Sequence, residues 1–323
     1  METLISSQIR KEELTTIFEK NYQDVSPLWS KHQLEWLNGI FQSYRDHEKY
    51  LIVIYLIKKT FDLYSKNFIK QSFSEYFKQE SIEIDKFNVM EISKALDIPK
   101  ESARRKINEL QKSGAIKRKG KRIVIDKSSF RFVKPENSII RISRFLSNLS
   151  SILYKEKILD KKIDSTKIQD CIEKNFSFIW KLYYEVQIPM ILNWKFCFKD
   201  IETFHIWAVC VVNQKINSQK EVNNKMNKKI FIEKYFFNLI DINGGINAMS
   251  ISDISGIPRA TVIRKLNILI KNKYLKINDK KLYTLAKDHV IQLSTLQKKN
   301  FINLAEFTSR VINLMKAEEK KFN

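Results

Sequence analysis

The chain has 323 residues, with 58 Lys or Arg against 36 Asp or Glu, and so carries a formal net charge of +22. That length exceeds the ~100 to 200 residues of a usual domain, and 43% hydrophobic residues with only 6 Gly and 5 Pro exclude a disordered or turn-rich chain in favour of packed helices. A positive field of this size selects polyanions, nucleic acid before an anionic membrane; the longest apolar runs, Leu51 to Ile57 and Ile206 to Val212, fall far short of the ~20 residues a membrane span needs.

The N-terminus has no apolar signal core, and Cys171, Cys197 and Cys210 lack zinc or redox spacing, so a cytoplasmic location is expected. Further along, Asp46 to Ser65 presents Tyr50, Leu51, Val53, Ile54, Ile57 and Phe61 on nearly every side, which predicts a buried helix. A compact basic segment follows at 88–125. The charged stretch LDKKID, ending at Asp164, marks a boundary that divides the chain into residues 1–162 and 163–323. In the second part, Ile201 to Ile216 repeats the all-round apolar pattern, and the two such helices are expected to pack together and join the halves. A second basic segment follows at 247–284.

The two basic segments align at a constant offset of 159 residues. Thirteen positions are identical, among them Asn88 with Asn247, Pro99 with Pro258, Arg105 with Arg264 and Lys106 with Lys265. A period this long excludes a solenoid and indicates two fused units of one kind. In the second unit a short helix ends at Gly256, and Pro258 opens the next, where a missing N–H costs nothing. Val262, Leu266 and Leu269 form its inward face, leaving Arg259, Thr261, Arg264 and Lys265 outward. The first unit offers Lys100, Ser102, Arg105 and Lys106 outward, with Ala103, Ile107 and Leu110 inward. Cationic and hydroxyl side chains at the start of such a helix donate to base edges and phosphates in the major groove.

Each second helix is followed by an expected β-hairpin. The first runs Ala115 to Arg118 and Lys121 to Ile125 about a Lys119-Gly120 turn; the other runs Tyr274 to Ile277 and Lys280 to Leu285 about Asn278-Asp279. Lys119, Lys121, Arg122, Lys280 and Lys281 make their tips basic. The segment DIPKESARRKINELQKSGAIKRKGKRIVI resembles the winged helix-turn-helix of IclR- and MarR-type transcriptional regulators, as does its second copy, although Lys273 stands in place of Gly114. The resemblance covers about 40 residues per copy and implies a mainly α fold, with winged units at about 68–126 and 227–285 bearing β-hairpin wings and binding double-stranded DNA. The 76 residues of segments 88–125 and 247–284 carry 13 of the 22 net charges, a concentration that uniform basic bias would not produce.

The expected function is a sequence-specific transcriptional regulator acting as a single-chain pseudo-dimer, as a monomer or homodimer. Because the halves differ in exposed residues, its site should be an imperfect palindrome. A plasmid or phage replication initiator and a winged-helix protein-interaction scaffold are the alternatives. His32, His47, His205 and His289 are scattered, and phosphate loops, nucleophile elbows and paired catalytic carboxylates are not found in the sequence. Neither enzymatic activity nor a metal or cofactor is therefore expected.

Overall fold

The computed structural model describes residues 8–120, 122–130, 134–222 and 244–319. Among these the chain is mainly α, with small antiparallel sheets. The first half opens with α1 (Lys11–Lys20), α2 (Tyr22–Tyr44) and α3 (His47–Lys66). These are followed by α4 (Phe73–Lys78), β1 (Ser81–Glu83), α5 (Val89–Leu96), α6 (Lys100–Lys112), β2 (Lys117–Lys119), β3 (Arg122–Asp126) and α7 (Glu136–Lys155). The second half has α8 (Ser165–Lys174), α9 (Phe176–Phe198), α10 (Ile201–Val222), α11 (Ala248–Ser255), α12 (Arg259–Lys271), β4 (Leu275–Ile277), β5 (Tyr283–Leu285) and α13 (Val290–Glu319).

The opening three helices of the two halves match at an offset of 154 residues. Asn21 and Asn175 separate the first two helices in each half with nearly the same backbone angles, and each donates its side-chain amide to a carbonyl four residues back, of Ile17 at 2.9 Å and of Cys171 at 2.8 Å. Both following helices are 23 residues long and end on a left-handed residue, Arg45 (φ 53°) or Lys199 (φ 69°). Directly after it comes an aspartate whose side chain stops the chain from continuing the old helix and starts a new one. Asp46 accepts from the N–H groups of Glu48 and Lys49, and Asp200 from that of Thr203.

The buried helices α3 and α10 do meet, through His47 Nε2 and His205 Nδ1 at 3.1 Å, but each packs more extensively against the 23-residue helix of the opposite half, α3 on α9 and α10 on α2. The opening helices also cross over: α1 lies on α13, and α8 on α7. One apolar core, with Trp29, Trp36, Trp180, Tyr22 and Tyr183 at its centre, therefore runs through both halves without a break at residue 162. His47 and His205, scattered in the sequence, share this interior, and burial lowers the pKa of His47 to about 4 and that of His205 well below its ordinary value.

The sheets lie outside this bundle. Strand β3 pairs antiparallel with both β1 and β2, in the order β1-β3-β2, with Ser81 opposite Asp126 and Lys117 opposite Val124. Strands β4 and β5 form the second hairpin, where Leu275 faces Leu285 and Ile246 bridges to Tyr283. The first hairpin turns one residue later than expected: Lys119 pairs with Arg122, and Gly120 takes the positive φ. In the second hairpin the positive φ falls on Lys281 rather than on Asn278 or Asp279, while the Asn278 side chain accepts from the N–H groups of Lys280 and Leu282. This hairpin is one residue longer than the first, so the gapless alignment ends inside the turn.

Candidate nucleic-acid interface

Helices α5 and α6 and helices α11 and α12 are joined in the same way. Asn88 caps α5 by accepting from Glu91 N–H, and Asn247 caps α11 through Ser250 N–H. The first helix of each pair ends on a left-handed residue, Asp97 (φ 50°) or Gly256 (φ 71°). A buried isoleucine follows, Ile98 or Ile257, and then a proline at almost identical angles, Pro99 (φ -52°, ψ 136°) or Pro258 (φ -54°, ψ 135°). The inward faces are those expected: Ala103, Ile107 and Leu110 are buried on α6, and Val262, Leu266 and Leu269 on α12. Strand β1, inserted before α5, has no counterpart in the sequence reading. The start of the second expected unit, up to residue 243, lies outside the described residues.

On the outward faces, Lys100, Arg105, Arg259 and Arg264 are exposed, and Ser102 and Thr261 are half-buried. Lys106 and Lys265 depart from expectation and point inward. Lys106 Nζ bonds the Asp46 carboxylate and lies 3.4 Å from Glu48. Lys265 Nζ lies 2.7 Å from Asp200 and 3.9 Å from Glu202. The two lysines thus seat the helices on the bundle and are corrected from DNA contacts to structural ion pairs. Burial is the largest single influence on Asp46 and Asp200 and would raise their pKa values, but the hydrogen bonds and charges of Lys106 and Lys265, with backbone N–H donors, together hold both carboxyls below the ordinary range. The repeated pattern of a basic residue, Asp, any residue and Glu, at Arg45 to Glu48 and Lys199 to Glu202, is the sequence signal that could have identified these seats.

Exposed residues absent from the expected set include Arg104, Asn108, Arg118, Asn267 and Lys276, of which Asn108 and Asn267 are equivalent. Several cations of the first unit already have partners: Arg104 pairs with Glu101 at 3.3 Å, Arg105 with Glu109 at 3.7 Å, Lys117 with Asp126 at 2.8 Å and Arg122 with Glu83 at 3.0 Å. Arg105 and Arg122 nevertheless remain 69% and 71% exposed. Lys119, Lys280 and Lys281 are exposed at the hairpin tips, while Lys121 lies outside the described residues. Among the described residues, none of Arg259, Arg264, Lys276, Lys280 and Lys281 forms an ion pair with a carboxylate. None of the helices described is long and apolar enough to cross a membrane. Comparison with protein-family models, curated proteins and solved structures finds no match to this chain.

Proposed function

We propose that the chain is a sequence-specific, double-stranded DNA-binding transcriptional regulator whose two units are winged helix-turn-helix modules, with α6 and α12 as the helices that enter the major groove. The observation that carries this reading is the repeated helix, left-handed turn, proline-started helix and hairpin, with Lys100 and Arg105 on one outward face and Arg259 and Arg264 on the other. The element order α4, β1, α5, α6, β2, β3 in the first half is the order such a module requires. Guanidinium groups on that face can donate two hydrogen bonds to guanine O6 and N7, and the lysines at the hairpin tips can lie along the phosphate backbone. Selection of bound sites from random duplex DNA tests the proposal, with a two-part enriched motif expected. Binding that is indifferent to sequence would favour a protein-docking scaffold instead.

A further inference from the structure

The turn that precedes each reading helix is held by a residue of the opposite half. Lys195, on α9 of the second half, is buried, and its ammonium donates to the carbonyls of Leu96 and Asp97 at the end of α5 in the first half. It also lies 3.0 Å from Glu48, whose other carboxylate oxygen faces Lys106 of α6, so one lysine of the second half fixes both the turn and the seat of α6. The reverse contact is made by Arg45, at the end of α2 in the first half, which donates to the carbonyl of Gly256 in the second at 3.5 Å.

These braces belong to a wider set of exchanged contacts. Asn313 on α13 binds the backbone N–H and C=O of Ile9 at 3.0 and 2.9 Å, while Ser150 and Ser147 on α7 bind the same two groups of Ile163 at 2.9 and 2.8 Å. Ile9 and Ile163 are equivalent at the offset of 154. In the exchanged pairs α1 on α13 and α8 on α7, and α3 on α9 and α10 on α2, the main packing contacts from the first half to the second each have a returning one. Reciprocal contacts of this kind define a two-fold relation, whereas a head-to-tail arrangement gives contacts in one direction only.

We infer that the two units read a pair of inverted half-sites at one fixed separation, and that Lys195 and Arg45 are positioning residues, each for the reading helix of the other half. The inference rests on the proposed DNA binding. Among the described residues a continuous core runs through both halves and holds the two units at one separation, so the partner is a duplex of one geometry.

The test uses the full chain and the selected duplex, with either half-site scrambled, with one half-site reversed to make a direct repeat, or with the spacing changed by about half a helical turn (~5 base pairs). Reversal or respacing should reduce affinity to that of a single half-site. Lys195→Met should lose about tenfold, the size of one charge-assisted hydrogen bond, on duplexes that keep the half-site sensitive to Arg105→Ala, and nothing once that half-site is scrambled. Arg45→Ala, an exposed change that leaves the core intact, should act with Arg264→Ala on the other half-site, and more weakly because its bond is longer. Equal affinity for direct repeats or for altered spacing would overturn the inference, as would losses from Lys195→Met and Arg45→Ala shared equally between half-sites. Absence of specific binding to every duplex would overturn the DNA-binding proposal itself.

Discussion

Replacing Lys265 by Met separates a lysine that holds the fold from one that holds DNA. The side chain of Lys265 is 8% exposed, and its ammonium lies 2.7 Å from Asp200. Breaking a fully buried ion pair costs ~3 to 5 kcal/mol, because the remaining charge is stranded. Here the Asp200 and Glu202 side chains are 40% and 35% exposed, and Asp200 keeps its bonds to the N–H and hydroxyl of Thr203, so solvent screening reduces the expected loss to about 1 to 2 kcal/mol. Urea unfolding of Lys265→Met, Asp200→Asn and the double variant should show that loss and a coupling between the two sites. The carboxyl of Asp200 is held below its ordinary range in the folded chain, so the stability it contributes is present above its unfolded pKa and disappears as pH falls through the folded value; Lys265→Met should flatten that acid limb. The salt dependence of DNA binding should not change. A slope of log K against log salt reduced by ~0.9 with unchanged stability would mean that Lys265 touches a phosphate, and the buried seat would be wrong.

Three other outcomes are expected. His47 and His205 are buried with lowered pKa values, so between pH 6.5 and about 4 the unfolded chain binds more protons than the folded one and stability falls with acid; a urea midpoint that stays level across that window contradicts burial of the neutral rings. Gly256 sits at φ 71° with its nearest neighbour beyond any clash, so Gly256→Ala should cost about 1 kcal/mol from the backbone alone, and a thermal melt at the parental temperature would refute the left-handed turn. Arg105→Ala and Arg264→Ala should each relax base preference at one position of a half-site by ~1 to 3 kcal/mol; a uniform loss on every sequence would make both arginines phosphate clamps.

The basic units were legible because their signals are local. Prolines at fixed places, an inward stripe at spacings of three and four, and clustered charge all lie within some 40 residues, and Val262, Leu266 and Leu269 are buried as that stripe requires. Lys106 and Lys265 are buried although charged, so residue type alone places them on the wrong face. Each stands three residues beyond an inward position, Ala103 or Val262, at the edge of the buried stripe, and its carboxylate partners are some 60 residues away in the chain. The match between the opening helices also escaped the sequence reading, since its offset is 154 rather than 159 and few residues beyond Asn21, Asp46 and Glu48 have identical counterparts. The packing of α1 on α13 depends on contacts across some 300 residues, which no local pattern encodes.

The two units differ in how many of their cations are already paired. In the first, Arg104, Arg105, Lys117 and Arg122 are paired with nearby carboxylates, while Lys94, Lys100, Lys112, Arg118 and Lys119 are exposed cations without an ion pair among the described residues. In the second, Arg259, Arg264, Lys276, Lys280 and Lys281 make no such pair among the described residues. Exposed pairs are worth ~0 to 1 kcal/mol each, so DNA can displace them at modest cost, but at long range a paired cation contributes little attraction. If the chain binds DNA as proposed, the free cations of both units draw it to the duplex, and the bundle presents the α6 and α12 units at fixed places on it. Release of Glu101 and Glu109 from Arg104 and Arg105 is then part of engaging the first unit, a cost of ~0 to 1 kcal/mol per pair that Arg259 and Arg264 of the second unit do not carry.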